Sequence, residues 1–196
     1  STGEMKLDQM RDDRHASLIR AKIYGDWDKI RTIIQAETND SVVRDHIRFE
    51  LLSAASNEKE LQQLCTMFNF AVENETEWKK LLLMSLQLSW GLVGRSTLAT
   101  WIIRNKIDAQ SMDEAEFDDW VSRTITRYDT LAMEALFDMK PKWQAKTRHL
   151  NEALQYGHLV LDMIRVLIER GRVHPTREHL MMVLRAERSV GSDAEK

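Results

Sequence analysis

Five apolar doublets, Ile33-Ile34, Met67-Phe68, Ile102-Ile103, Leu136-Phe137 and Leu167-Ile168, recur along the chain at spacings of 34, 35, 34 and 31 residues. Each doublet closes a segment whose apolar residues recur at three and four, and a similar segment precedes each one. This pattern predicts helices in pairs. The first members carry Leu18, Ala21 and Ile23, then Phe49, Leu52 and Ala55, Leu82 and Leu86, Trp120, Val121 and Ile125, and Leu150, Ala153 and Leu154. Polar or glycine-bearing breaks separate the members at Gly25-Asp26, Ser56-Asn57-Glu58, Trp90 to Gly94, Tyr128-Asp129 and Tyr156-Gly157-His158. Leu180 to Leu184 begin a sixth unit that has only its first helix. A unit of about 33 residues built from two short helices cannot bury both faces alone, so its neighbours must stack on it. The expected architecture is all-α: a short α-solenoid of about five helix pairs plus a terminal helix.

Composition agrees. Seven Gly and two Pro in 196 residues are too few for the turns of a sandwich or an α/β enzyme. The length fits one domain, expected over residues 14–188, with an extension at 1–13 and a disordered tail at 189–196. Lys and Arg number 28 against 31 Asp and Glu, so no global field draws the chain to nucleic acid or anionic lipid. No apolar run approaches the roughly 20 residues of a membrane span. Cys65 stands alone, which excludes an intrachain disulfide and a multi-cysteine metal site and fits a reducing compartment, cytoplasm or nucleus.

The residues around the breaks carry a resemblance. Gly25 is followed at five, eight and nine by Ile30, Ile33 and Ile34, and Gly94 by Leu98, Ile102 and Ile103. Ala153-Leu154-Gln155-Tyr156-Gly157-His158-Leu159 runs on to Val166-Leu167-Ile168-Glu169-Arg170-Gly171. These stretches resemble the inter-helix turn and outer helix of ankyrin repeats, over about residues 14–188. The last has two extra residues between its glycine and its Leu-Ile pair. The Thr-Pro-Leu-His opening of the family is absent; His174-Pro175-Thr176-Arg177-Glu178-His179-Leu180 comes nearest, with Thr176 an expected N-cap. Ser41, Ser111 and Thr147 are expected to cap other first helices. Asp-Gly hairpin signals are missing, so the β-hairpin fingers are expected to be reduced or absent. The aromatic and Gly-x-x-Tyr elements of tetratricopeptide repeats are absent.

Chemistry-bearing patterns are few. The six His show no helical zinc-protease spacing, and Gly91-Leu92-Val93-Gly94 lacks the Lys and Ser/Thr of a phosphate loop. Cys65 shares an apolar face with Leu61, Leu64 and Phe68 and reads as core. Asp108, Asp113, Glu114, Glu116, Asp118 and Asp119 lack the alternation of a calcium loop and read as a solvated linker with an acidic helix start. No metal, cofactor or catalytic residue is assigned. Arg165, Arg170, Arg172, Arg177, Arg185 and Arg188 form a basic cluster near the C-terminal end.

The most pointed signal is aromatic. Tyr24, Trp90 and Tyr156 each precede a glycine and lie 66 residues apart, and Tyr128 is expected at the equivalent place in the fourth unit. The resemblance implies that such residues lie near the concave groove where ankyrin-like stacks bind proteins, so a row of Tyr and Trp there would supply anchors. The same rings could equally wedge between adjacent units. Trp27, Trp101 and Trp120 read as core. The sequence therefore points to a non-catalytic scaffold or adaptor binding a protein partner through Tyr24, Trp90, Tyr128, Tyr156, Arg172 and Arg177. Two alternatives stay open: nucleic-acid binding through the C-terminal arginines, and an enzyme whose groups, among them His149, His158 or Asp129, converge only in three dimensions. Self-association through the unfinished terminal repeat is a further option. Ankyrin-like modules serve in cytoplasmic adaptors, nuclear regulators and pathogen effectors alike.

Overall fold

The computed structural model describes residues 13, 16–18, 20–36, 41–67, 74–87, 93–155 and 161–183. The chain is all-helical, and no strand occurs among the described residues. Helical residues 16–18 and 20–23 precede α1 (Trp27–Ala36), α2 (Ser41–Leu52) and α3 (Glu58–Met67). Then come α4 (Glu75–Gln87), α5 (Val93–Lys106), α6 (Glu114–Thr126), α7 (Thr130–Met139), α8 (Thr147–Gln155) and α9 (Leu161–Glu169), followed by helical residues 177–183. None of these helices is long and apolar enough to cross a membrane. The chain divides into two compact units, residues 1–71 and 72–196.

Helix starts follow from short polar side chains placed where the first N–H groups lack partners. Asp26, Asn57, Asn74, Asp113 and Asp129 each accept a hydrogen bond from the main-chain N–H three residues on, at 2.7 to 3.2 Å. At α3 the Glu60 carboxylate adds a second tie, accepting from the N–H of Ser56, the residue before the cap, at 2.8 Å. Asp113, not Ser111, caps α6; the Ser111 hydroxyl instead lies within hydrogen-bond reach of both Glu75 and the Asp108 carbonyl. Ser41 and Thr147 are themselves the first helical residues of α2 and α8. Gly94 lies inside the first turn of α5, so that break ends before Val93.

Two helix ends share one backbone solution. Asp26 N–H bonds the Ala21 carbonyl at 2.8 Å and Gly25 N–H the Lys22 carbonyl at 3.1 Å; Asp129 bonds Thr124 at 2.9 Å and Tyr128 bonds Ile125 at 3.1 Å. Both are Schellman turns with the residue after the helix in the left-handed region, Gly25 at φ 65° and Tyr128 at φ 57°. Tyr128 thus corresponds to Gly25, one position later than the expected alignment with Tyr24. The aspartate that follows each turn caps the next helix.

In the first unit, Leu18, Ala21, Ile30, Ile47 and Leu51 form a buried cluster, with Ile33 and Ile34 packed against it. In the second unit, α4 contacts α5, α6 contacts α7 and α8 contacts α9. The first members also contact in succession, α4 with α6 and α6 with α8, and so do the second members, α5 with α7 and α7 with α9. Three helix pairs thus make two rows, one of first members and one of second members. The doublets explain why: Ile102, Ile103, Leu136, Phe137 and Leu167 are buried between the rows, each such side chain worth about 1.5–3 kcal/mol removed from water. Trp101 meets Trp78 edge-on at a centroid distance of 5.4 Å, and the Lys106 ammonium lies 5.3 and 5.2 Å from the two ring centroids.

Candidate partner-binding surfaces

The turn between helical residues 20–23 and α1 presents apolar side chains outward. Tyr24 is 79% exposed, Ile23 72% and Trp27 36%, so Trp27 is not the core residue its helical period implied. The cause is local: the Schellman turn ends one helix at Ile23 and starts the next at Trp27, which leaves the corner in water while Ala21 and Ile30 close beneath it. Beside this corner runs a groove of about 320 Å³ lined by Trp27, Leu51, Ala55, Leu64 and Met67, with Lys22 and Glu60 in its walls. Met67 is itself exposed. Burial lowers the pKa of the Lys22 ammonium, against the attraction of Glu50. Cys65, expected in the core, is half-buried.

Of the other expected site residues, Tyr128, Arg172 and Arg177 lie in the second unit, and Trp90 and Tyr156 lie outside the described residues, as does His158. Tyr128 is half-buried. Arg172 is exposed and takes the left-handed conformation, φ 55°, in the turn that ends α9. Arg177 is exposed on the wall of a second groove, of about 460 Å³, bounded by Leu150, Leu154, Ile164, Ile168, Leu180 and Val183. Of the basic cluster, Arg165 pairs with Asp162 at 3.4 Å and Arg170 with Asp138, while Arg185 and Arg188 lie outside the described residues.

Two of the groups named for an enzyme, Asp129 and His149, are engaged in holding helices. Asp129 caps α7 and accepts from the Ser96 hydroxyl at 2.6 Å. His149 is fully buried at the start of α8, where its Nδ1 accepts from Lys146 N–H at 2.9 Å. Nδ1 being an acceptor, the neutral ring carries its proton on Nε2, which has no hydrogen-bond partner of good geometry. Burial, reinforced by Arg148, holds this imidazole below its ordinary 6.5, against the pull of Asp118 and Glu152. His179 repeats the arrangement 30 residues later: its Nδ1 accepts from Thr176 N–H at 2.8 Å, and its Nε2 meets Asn151 Oδ1 of α8 at 2.7 Å.

Asp118, read from the sequence as part of a solvated acidic stretch, is buried on α6 and receives Lys146, just before α8, and Arg148 of α8, the latter at 2.9 Å. Burial opposes its ionisation, but the hydrogen bonds from Lys146 and Arg148 outweigh it and hold the carboxyl below its ordinary 3.8. Sequence reading missed it because its partners lie 28 and 30 residues away. The remaining acids are divided between roles: Glu116 and Glu75 flank Lys79 at 3.1 and 3.6 Å, and Asp119 pairs with Arg123 at 2.7 Å. Among the described residues no group of three or more His, Cys, Asp or Glu is arranged to hold a metal ion. No family model, curated protein or solved structure matches the chain.

Proposed function

We propose that the chain is a non-catalytic protein-interaction module of ankyrin-like helical repeats, a short α-solenoid that recognises a protein partner through an exposed apolar corner. The observation that carries this reading is the exposed corner of Ile23, Tyr24 and Trp27, where Trp27 and the exposed Met67 line the adjoining groove. Exposed Tyr and Trp with few rotatable bonds, next to a recess, are the usual composition of binding hot spots. The two rows of helices in the second unit support the repeat reading. So do the paired histidine caps, since His149 and His179 open successive first-member helices in the same way. Such a module works in the cytoplasm or nucleus, where Cys65 stays reduced.

The test is affinity capture with the wild-type chain and with Tyr24→Ala and Trp27→Ala, followed by titration of the captured protein. At 79% exposure Tyr24 contributes little to folding, so its variant is expected to melt with the wild type and to bind at least tenfold more weakly, the scale of a hot-spot truncation. A captured protein bound equally by all three chains would reject this surface.

A further inference from the structure

The start of α8 is closed by a histidine where a Glu or Gln usually folds back on the helix start. His149 is the third residue of that helix; its Nδ1 accepts from Lys146 N–H at 2.9 Å, and its own N–H bonds the Lys146 carbonyl at 2.9 Å. The ring is fully buried and tilted against Trp143 at a centroid distance of 5.5 Å. Trp143 in turn packs on Phe117 of α6 and Phe137 of α7, at 4.8 and 5.8 Å. The same short stretch carries Lys146 and Arg148, which hold Asp118 of α6, and Ala145, whose N–H bonds the Gly171 carbonyl after α9. One imidazole therefore fastens the turn that ties α8 to α6, α7 and the end of α9.

This closure holds with a neutral ring only. A second proton would sit on Nδ1 and face Lys146 N–H, donor against donor, in the first turn of a helix, whose N-terminal dipole end repels a cation. The charged groups around the ring divide. Arg148 opposes the proton, whereas the carboxylates of Asp118 on α6 and Glu152 on α8 attract it, with Lys146 and Arg148 already drawing on Asp118 and Lys146 on Glu114. In the turn before α8, Lys140 is directed to the Met112 carbonyl and Lys142 is exposed. The buried residues of α9, the other helix against α8, are Met163, Val166 and Leu167, and its exposed Asp162 and Arg165 pair with each other. His179 of residues 177–183 meets Asn151, two residues on from His149 and so on a different side of α8. Burial and Arg148 prevail over the two carboxylates, so the closed ring resists the proton. We infer that His149 is a proton-operated latch: a second proton on this ring releases residues 143–149 from α6 and α7, while the other helices of the unit stay packed. The latch stands separately from the Tyr24 corner.

The test is amide hydrogen exchange of the full chain across a pH series, each rate divided by the intrinsic exchange rate at that pH. Only the open form takes up the proton freely, so opening over residues 143–152 is expected to increase by up to about tenfold per pH unit as the pH falls below about 6.5, with α4 and α5 keeping their protection. His149→Gln keeps an acceptor for Lys146 N–H and has no proton to take up, so its protection over the same residues is expected to stay level. Nitrogen NMR of the wild-type imidazole gives a reading that needs no variant: at neutral pH Nδ1 is expected bare and Nε2 protonated. Protection that does not change with pH, that falls equally in His149→Gln, or that falls over the whole unit at once would overturn the inference. So would a proton on Nδ1 at neutral pH.

Discussion

Gly25 and Gly171 are needed for different physical reasons. At Gly25 the backbone is left-handed and nothing lies within 4 Å of where a Cβ would stand, so Gly25→Ala meets conformational strain alone, about 1 kcal/mol. At Gly171 an added Cβ would come within 2.6 Å of the Leu167 carbonyl oxygen and 2.9 Å of the Ala145 Cβ. The Gly171 carbonyl also accepts from Ala145 N–H at 2.8 Å, so the neighbours cannot retreat freely, and Gly171→Ala should cost about 2–3 kcal/mol. Chemical denaturation of both variants is expected to rank them in that order. His149 sets a second expectation. Its folded-state pKa is depressed, so the unfolded chain takes up the proton first, and its contribution is present above about pH 6.5 and lost as the pH falls through the folded value. Asp118, also depressed, contributes above its ordinary 3.8 and is lost only below that. Stability measured between about pH 7 and pH 5 should therefore decline less steeply in His149→Gln, which keeps an acceptor for Lys146 N–H, than in the wild type. Identical slopes would place the proton uptake elsewhere.

At the scale of the helix, the sequence yields pairing more readily than orientation. The doublets and the polar breaks locate the described helices because burial imposes their period and the caps impose their ends, as at Asp26 and Asp129. Periodicity cannot tell whether a helix-start residue closes over the core or stays at the corner, which is why Trp27 reads as core and is instead partly exposed at 36%. Nor does spacing reveal that Tyr128 occupies a glycine-like position, since a left-handed tyrosine is unusual and held by the turn around it. Asp118 was hidden for a third reason: an acid among acids reads as solvated until the helix start that supplies Lys146 and Arg148 is in place. Asp118→Asn is expected to lower the melting temperature by several degrees, and Asp119→Asn, which loses only an exposed pair with Arg123, to leave it nearly unchanged. Equal shifts would mean that α6 and α8 are held by apolar contacts alone.

Across the whole molecule, two compact units each pair a buried apolar core with an apolar recess: the Tyr24 corner in residues 1–71 and the groove beside α9 in residues 72–196. Among the described residues, Asp129, His149 and Asp118 serve caps and inter-helix ties, whereas large apolar side chains are left exposed at these two places. That distribution supports the proposed binding role, because exposed apolar clusters cost solubility unless something covers them. The most direct measurement is amide hydrogen exchange of the full chain with and without a captured partner. Added protection over residues 20–30 and 60–67, lost in Tyr24→Ala, is the expected result. Protection confined to other parts of the chain, or unchanged by that substitution, would contradict the proposed surface.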